Sequence, residues 1–296
     1  MRFGLAVAIV ATAIGLARPA APADPPAARL LGSFVWHHDL PWFGGWSGLE
    51  ISANGTGLTA ISDRDGTLIF ARIARDAERI SGIRILRTIR LRSGAGAPLS
   101  GHIADAEGLA IAPDGTLFVS FEGVHRVARY ATPDAPVRGL PRPRDFLALP
   151  ENGSFEALAI DPLGRVYTMP ENRPDRHGQI PVYRWDGTRW SVPFRLAARG
   201  GFLPVGADFG PDGRLYLLER DFGIWGFRSR LRRWDIRADR PENETTLLQS
   251  GFWTHDNLEG VAIWRDPGGT LRATMISDDN FMFFQRTEIV EYALPD

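Results

Sequence analysis

The stretch that decides the fold is Glu107-Gly-Leu-Ala-Ile-Ala-Pro-Asp-Gly115-Thr-Leu-Phe-Val-Ser-Phe-Glu122. Its apolar residues alternate on both sides of a Pro-Asp-Gly turn, which is typical of two antiparallel strands joined by a tight hairpin. Related stretches occur four more times, with turn glycines 49 to 60 residues apart: Gly55, Gly115, Gly164, Gly213 and Gly268. Self-similarity at such a period indicates a repeat architecture in which each unit packs against its neighbours.

Each unit has room for two further strands. In the second unit the alternating segments are Arg126–Tyr130 and Asp145–Leu149, and in the third they are Pro181–Trp185 and Trp190–Leu196. Four strands in about 50 residues are the signature of a propeller blade. The sequence therefore predicts an all-β protein with a single β-propeller of five four-stranded blades. Six blades are the alternative, if the 60-residue interval contains an irregular blade.

The two ends of the chain suggest how the ring closes. The last unit has Glu288–Leu294 as its third strand and lacks a fourth. Arg29–Trp36 precedes the first unit at the position that an outer strand holds before each later unit. We therefore expect this N-terminal strand to complete the final blade and close the ring.

An export signal is predicted before the propeller. Arg2 begins a short basic region, residues 5–16 are apolar, and Ala21 and Ala23 are the small residues of a cleavage site. The apolar run is shorter than the roughly 20 residues of a transmembrane helix. The predicted organisation is a cleaved signal peptide over 1–23, a Pro/Ala tail over 24–28 and the propeller domain over 29–296. The mature protein is then periplasmic or secreted, without a membrane span.

Composition excludes several classes of function. All 34 basic residues are arginine, and 35 acidic residues leave a net charge of −1, which does not suit binding to nucleic acid. Cysteine is absent, so disulfides, cysteine nucleophiles, thiolate metal ligands and a lipid anchor on cysteine are excluded. Any bound metal must be held by oxygen or imidazole.

Acidic residues recur in register with the repeats. Aligning the units on their glycines brings five residues to the start of the inner strands: Ser47, Glu107, Glu156, Val205 and Glu259. Units without an acid there have one three residues later, as Glu50 and Asp208. We expect the five carboxylates at one level of the axis, where they would repel each other unless Ca²⁺, arginine or protons were present. A purely structural ring, with each glutamate accepting backbone N–H bonds, is the alternative.

A second acidic set ends the second strand of each unit: Asp63, Glu122, Glu171, Glu219 and Asp278. Clustered carboxylate and amide oxygens suit a hard cation with six to eight ligands, so the predicted cofactor is Ca²⁺. Its candidate ligands come from both sets: Glu107, Glu156, Glu259, Glu50, Asp208, Asp63, Asp278 and Glu171.

Arginine and histidine beside these acids are candidates for substrate contacts, because a guanidinium binds phosphate or carboxylate with two parallel hydrogen bonds. The predicted catalytic residues are Glu156, Arg64, Arg220 and Arg286. The predicted substrate-binding residues are Arg142, Arg144, His102 and His255. In contrast, Arg230, Arg232 and Arg233 are expected to form an ordinary solvated strand face.

Several motifs occur together in one order along the chain. They include Gly44-Gly-Trp-Ser-Gly-Leu-Glu50, Ala106-Glu-Gly-Leu-Ala-Ile111, Asn152-Gly-Ser-Phe-Glu156, Asp256-Asn-Leu-Glu-Gly260 and Ser277-Asp-Asp-Asn-Phe281. In these motifs the chain resembles the phytase-like domain family, secreted bacterial proteins described as having esterase-like activity of phytase. The resemblance implies a β-propeller and, by analogy with the propeller phytases, Ca²⁺-dependent phosphomonoester hydrolysis. Those phytases are six-bladed and have lysine in the cleft, whereas this chain has five units and no lysine.

The sequence leaves three functions open. The first is an exported Ca²⁺-dependent phosphoesterase, in which Ca²⁺ neutralises the phosphate at an acidic central channel and an arginine stabilises the developing charge. The second is a lactonase or carboxylesterase, since calcium propellers also support that chemistry. The third is a non-catalytic binding propeller that calcium stabilises. The expected partner is a small-molecule phosphate ester or lactone.

Overall fold

The computed structural model describes residues 27–149, 153–172 and 174–296. The predicted signal peptide lies outside these residues, as does most of the Pro/Ala tail. The described chain begins with strand β1 (Arg29–Val35) and contains five four-stranded antiparallel sheets. The protein is a five-bladed β-propeller, so the prediction of five blades is confirmed and the alternative of six is wrong. Within the described residues no helix has the length and apolar character needed to cross a bilayer.

Four blades run in chain order from the inner to the outer strand. Blade 1 consists of β2 (Trp46–Ile51), β3 (Gly57–Ser62), β4 (Thr67–Asp76) and β5 (Arg79–Arg90). Blade 2 consists of β6 (Ala106–Ile111), β7 (Leu117–Phe121), β8 (Arg126–Tyr130) and β9 (Arg138–Gly139). Blade 3 consists of β10 (Phe155–Ile160), β11 (Val166–Pro170), β12 (Gln179–Trp185) and β13 (Trp190–Ala197). Blade 4 consists of β14 (Leu203–Phe209), β15 (Leu215–Gly223), β16 (Gly226–Arg237) and β17 (Arg240–Gln249).

Blade 5 combines strands from the two ends of the described chain. Its inner three strands are β18 (Asn257–Arg265), β19 (Leu271–Asp278) and β20 (Glu288–Leu294). Strand β1 pairs antiparallel with β20, with Arg29 opposite Ala293 and Val35 opposite Glu288. The backbone groups on the outer edge of β20 therefore have partners.

The core consists of layers between neighbouring blades. Between blades 4 and 5, for example, Leu218 and Leu231 belong to one buried cluster with Val261 and Met275. All four are at most 4 % exposed, and truncating one such side chain to alanine costs about 2–5 kcal/mol. Packing between blades therefore holds the inner strands in the fixed positions on which the site depends.

Two local predictions are wrong. Residues 145–149 do not form the outer strand of blade 2, which is the two-residue β9; a short helix, α1 (Arg144–Leu147), starts after Pro143 instead. The helix packs Phe146 edge-on against Phe155, with ring centroids 4.3 Å apart, and so buries this apolar residue without pairing the segment in a sheet. In blade 5 the left-handed turn residue is Gly269 (φ +88°), one position after the predicted Gly268.

Candidate functional site: an acidic cluster at one mouth of the propeller

A β-bulge in every inner strand explains where the repeated acids point. In blades 1, 3, 4 and 5 the pairing of the inner strand with its neighbour shifts by one residue, at Ser47, Glu156, Val205 and Glu259 respectively. In blade 2 the shift falls at Glu107 and Gly108. A bulge places two residues opposite one and so re-aims a side chain that the strand's alternation would otherwise direct elsewhere. Three blades thereby bring a glutamate to the same mouth of the propeller.

The residue after the bulge is glycine in four blades because a side chain has no room there. A Cβ at Gly48, Gly108 or Gly206 would lie 2.8, 2.6 or 2.3 Å from the main-chain oxygen of the bulged residue in the next blade. A Cβ at Gly260 would lie 3.0 Å from the Ser47 oxygen, so blade 5 packs on blade 1 in the same way. The Glu-Gly dipeptide of the repeat therefore combines an acid for the mouth with the closest approach of neighbouring blades.

An apolar layer closes the axis directly behind the mouth. Leu49, Leu109, Leu158, Ala207 and Val261, one from each blade, line a remaining void of only about 10 Å³. The acids thus lie at one mouth, and the expected central channel does not continue through the propeller.

Glu50 and Asp208 do not join the cluster, so the prediction of five carboxylates at one level is wrong for these two. Glu50 accepts a hydrogen bond from the Ile111 N–H at 3.0 Å, and Asp208 accepts one from the Ile263 N–H at 2.6 Å. Both donors belong to the inner strand of the next blade. Because these acids come three residues after the bulge, they lie beyond the apolar layer and fasten blades together there.

The second acidic set contributes four members to the mouth: Asp63, Glu122, Glu171 and Asp278. The fifth, Glu219, is fully buried elsewhere and accepts hydrogen bonds from Arg230 Nε and Arg232 Nε, each at 2.7 Å. Arg230, Arg232 and Arg233 are at most 8 % exposed, so the predicted solvated face is wrong. Blade 3 covers Arg232, which also donates to the Ala197 carbonyl at 3.0 Å, whereas Arg233 donates to the Pro295 carbonyl at 2.6 Å on the other face of the strand.

Arg220 takes the place of an acid from blade 4. It donates to Glu171 Oε1 at 2.7 Å, forms an ion pair with Glu259 and lies 4.0 Å from a Glu156 oxygen. Asn257 bridges this group, accepting from Arg220 at 2.8 Å and donating to Glu259 at 2.8 Å. Burial alone would lower the pKa of Arg220, but the three glutamates raise it above its ordinary value, so the guanidinium stays charged.

Three acids lie on the other side of the mouth, and none of them forms an ion pair with an arginine among the described residues. Oxygens of Asp105, Glu107 and Glu122 all lie within 4.8 Å of one another. Calcium binds oxygens at about 2.3–2.6 Å, so one ion between these three atoms could contact all of them. Glu122 is held in place by the Ser154 N–H at 3.1 Å. The sequence reasoning missed Asp105, although its place two residues before Glu107 was a usable signal.

Burial raises the pKa values of several acids at this mouth, Glu107 and Asp63 among them. Burial is the main cause for Glu107, and the nearby Glu259 and Asp63 carboxyls add to it. Burial, Glu259 and Asp105 together raise the pKa of Asp63 to about 7. The described neighbours of Glu107 and Asp63 therefore supply too little positive charge to stabilise the carboxylate form of these two side chains.

The donor set fits a hard cation. The side chains that converge on the mouth are carboxylates and an amide, which are oxygen ligands of the kind that Ca²⁺ prefers. One oxygen of Asp63, Oδ1, is buried and makes no hydrogen bond to the residues the structure describes. A buried carboxylate oxygen without a partner is costly, and coordination to a cation would satisfy it.

An open cavity of about 450 Å³ lies over the acids. It is lined by Asp63, Arg64, Gly101, His102, Asp105, Asn280 and Phe281. Arg64 is exposed, and its guanidinium carbon lies 4.3 Å from the centre of the Phe281 ring. Arg64 and His102 are thus at the rim, above the carboxylates rather than among them.

The remaining predicted site residues lie elsewhere. His255 and Arg286 line a separate cavity next to the mouth. Arg142 and Arg144 are exposed residues in and beside the proline-rich segment before α1, and they do not line the mouth cavity as the described residues define it. Sequence reasoning also missed Arg126, which lies 3.7 Å from the centre of the Phe121 ring and near Asp105.

Fold and site together define a five-bladed propeller protein with a carboxylate-rich mouth. The profile of the phytase-like family, described as "esterase-like activity of phytase", matches residues 41–281. The chain therefore belongs to the phytase-like family. Among curated proteins, none matches the sequence significantly.

Solved structures confirm the fold. An α-L-arabinofuranosidase from Podospora anserina, in complex with cellotriose, is 13 % identical, covers 91 % of this chain and 97 % of its own, and has a TM-score of 0.53. The catalytic domain of the GH62 α-L-arabinofuranosidase of Coprinopsis cinerea is 11 % identical, with coverage of 90 % and 96 % and a TM-score of 0.55. At this level of identity the likeness shows the fold alone.

Proposed function

We propose that the protein is a calcium-dependent hydrolase of phosphate monoesters that acts at the acidic mouth. One observation carries the proposal: eight carboxyl groups and the Arg220 guanidinium meet beneath an open polar cavity of about 450 Å³. The eight acids are Asp63, Asp105, Glu107, Glu122, Glu156, Glu171, Glu259 and Asp278. Such an excess of carboxylates in a partly buried site calls for divalent cations.

The cation would be held by Asp105, Glu107 and Glu122, with Asp63 beside them. Arg220 already neutralises Glu171 and Glu259 on the opposite side, so these two are less available as ligands than the sequence suggested. When bound, calcium supplies a Lewis acid that neutralises phosphate oxygens and lowers the pKa of a water.

The chain's own residues have separate tasks in this proposal. Arg64 has its donors largely free, since its hydrogen bond to the Pro41 carbonyl is 3.5 Å long, and it can bind the phosphate at the rim. His102 supplies a further donor on the same rim. Arg220 is a positioning residue, because its donors are taken up by Glu171, Glu259 and Asn257.

Calcium binding and turnover test the proposal together. We expect calcium to bind the EDTA-treated protein by isothermal titration calorimetry, and p-nitrophenyl phosphate to be hydrolysed only when calcium is present. Glu107→Gln should weaken calcium binding by at least about tenfold, because it removes one of three charged ligands. Asp114→Asn is the matched control, since Asp114 is an exposed acid in the β6–β7 turn of the same blade. Unchanged turnover in EDTA would refute the role of the metal.

The same assays separate the alternatives. Phytate, p-nitrophenyl acetate and a lactone are tested in parallel. Hydrolysis of the acetate or lactone with phosphate esters untouched would favour the carboxylesterase or lactonase, for which the Asn257 and Asn280 amides at the mouth leave room. Calcium binding that raises the Tm without turnover of any ester would favour the non-catalytic propeller.

Export and ring closure are further parts of the proposal. The basic, apolar and small-residue pattern of residues 1–23 supports cleavage before Asp24 and a periplasmic or secreted domain over 29–296. The mass of the protein recovered outside the cytoplasm tests the cleavage. The pairing of β1 with β20 supports closure of the ring by the N-terminal strand. Deletion of residues 27–35 should therefore lower the Tm strongly.

A further inference from the structure

A second cavity, of about 460 Å³, lies beside the acidic mouth, and the proposed function leaves it without a role. Its lining comes from the β15–β16 hairpin tip (residues 222–224, 226 and 227), from the segment before β18 (residues 253, 255 and 256) and from residues 284–286 before β20. Four aromatic residues line it: Phe222, Phe227, Trp253 and Phe284. We call this cavity the aromatic cleft.

The apolar side chains at the rim of the aromatic cleft are unusually exposed. Ile224 is 91 % exposed, Trp253 77 %, Phe222 69 % and Phe284 65 %. Single exposed apolar residues are normal, whereas a contiguous group around a concave surface marks a binding site. The volume also falls within the range of about 300–1,000 Å³ that is usual for small-molecule pockets.

Hydrogen bonds and packing hold the walls of the cleft in place. Asp256 accepts from the Arg286 N–H at 3.0 Å and from Gln285 Nε2 at 3.3 Å, which fastens the segment before β20 to the segment before β18. The Trp253 ring lies against Gly226, where an added Cβ would meet it at 3.5 Å. At the buried base, His255 Nε2 and the Tyr292 hydroxyl are hydrogen bonded at 2.6 Å. A cleft formed before binding loses little conformational entropy when a ligand enters.

The lining chemistry identifies the kind of ligand. The rings of Phe222 and Phe227 on the hairpin, together with those of Trp253 and Phe284, favour a planar aromatic group. Such a group can stack or pack edge-on against them. Arg286 adds a guanidinium that is 51 % exposed, and its ion pair with Glu288 at 3.2 Å uses only part of its donors. This charge complements an anionic group on the same ligand.

One short segment of chain borders both the aromatic cleft and the acidic mouth. Asn280 and Phe281 line the mouth, whereas Phe284 to Arg286 line the cleft. Three peptide units separate Phe281 from Phe284, so their Cα atoms are at most about 11 Å apart. Two successive turns shorten the segment further, with Met282 N donating to Asp279 O at 2.8 Å and Gln285 N to Met282 O at 3.0 Å. This short separation is the geometric basis for placing one ligand across both cavities.

We propose that the aromatic cleft binds the planar aromatic group of an anionic aryl ester whose ester phosphate lies at the acidic mouth. Aryl phosphates are then the preferred substrate class, and polyphosphates without an apolar group, such as phytate, are poor substrates. The preference among substrates rests on the proposed phosphoesterase function. Binding of the aryl group does not, because the cleft contains none of the eight mouth acids.

The first test measures binding of 1-naphthol, which has the aryl group but no phosphate for the mouth acids to repel, to the whole protein in EDTA by isothermal titration calorimetry. We expect wild type to bind, and Phe284→Ala and Trp253→Ala to bind about tenfold more weakly, since a lost aromatic contact of about 1.4 kcal/mol corresponds to that factor. Both residues are exposed, so the fold should survive, which circular dichroism checks. Leu163→Ala is the matched control, because Leu163 is 76 % exposed on a turn of blade 3. It should bind like wild type.

The second test measures turnover with calcium. The ratio of kcat/KM for 1-naphthyl phosphate to that for methyl phosphate should fall about tenfold in Phe284→Ala and stay unchanged in Leu163→Ala. Binding of 1-naphthol without hydrolysis of any ester would uphold the cleft and refute the proposed function.

Two results would overturn the inference. One is equal binding of 1-naphthol by wild type and both cleft variants, or no binding by wild type. The other is a tryptophan fluorescence change with phosphatidylcholine vesicles that naphthyl phosphate does not compete away, which would make a lipid surface the occupant.

Discussion

Replacement of Arg220 by methionine tests the electrostatic description of the acidic mouth. The substitution keeps an unbranched side chain of similar length and removes the guanidinium that neutralises the glutamates beside it. Arg220 contacts Glu171 at 2.7 Å, is paired with Glu259 and lies 4.0 Å from Glu156. Its side chain is 17 % exposed, so water screens these charges only partly.

The expected loss of stability follows from breaking a buried ion pair. Removing one partner of such a pair costs about 3–5 kcal/mol, because the remaining charges lose their compensation. Protonation of a glutamate would relieve part of this cost, so we expect about 3 kcal/mol at pH 8 without metal. That corresponds to a fall in Tm of roughly 6–12 °C for a domain of this size.

The assay is thermal unfolding of wild type and Arg220→Met at pH 8, in EDTA and in calcium. Arg199→Met is the matched control, since Arg199 is paired with Glu244 at 3.1 Å but is 56 % exposed, and it should cost less than about 1 kcal/mol. Calcium should stabilise Arg220→Met more than wild type, because a bound cation replaces part of the lost positive charge. Equal Tm values for Arg220→Met and Arg199→Met in EDTA would refute this reasoning.

Three further substitutions test the framework around the site. Gly206→Ala should cost about 1–3 kcal/mol, since its Cβ would lie 2.3 Å from a main-chain oxygen of blade 5, whereas Gly82→Ala meets nothing within 4 Å and should be neutral in urea unfolding. Glu219→Gln should cost about 3–5 kcal/mol, because it leaves two buried arginines short of charge; a urea midpoint like that of wild type would contradict this. Burial raises the pKa of Asp208 to about 7, so the native state binds the extra proton and stability falls as pH rises from about 4 to 7. The Tm of Asp208→Asn minus the Tm of wild type should therefore increase from pH 4 to pH 8. A Tm difference that stays constant over this range would rule this out.

The architecture was predictable because the repeat is local. The Pro-Asp-Gly turns and alternating apolar residues specify hairpins through contacts within a few residues, and five such units are sufficient to predict five blades. Strand Arg126–Tyr130 and strand Glu288–Leu294 were predicted with the bounds that the structure shows. The strand prediction for 145–149 was wrong because its apolar residues fit a strand, whereas the contact of Phe146 with Phe155 that the helix makes cannot be read from the local sequence.

The composition of the acidic mouth was only partly predictable. In-register repetition identified Glu107, Glu156 and Glu259 as one set, since equivalent positions of equivalent blades must lie around one axis. It could not show that Arg220 points into this set while its neighbour Glu219 does not. That difference depends on the side of the β15–β16 hairpin that blade 3 covers.

Sequence by itself determined the repeat, the preferred blade number of five, the positions of the acids along each blade and the absence of thiolate metal ligands. Tertiary structure alone decided which acids meet. A bulge turns the glutamates toward the mouth, and an apolar plug of one side chain per blade separates them from Glu50 and Asp208. The direction of each side chain and the distances between side chains of different blades depend on packing between residues about 50 positions apart. The spacing of residues along the chain does not encode this packing.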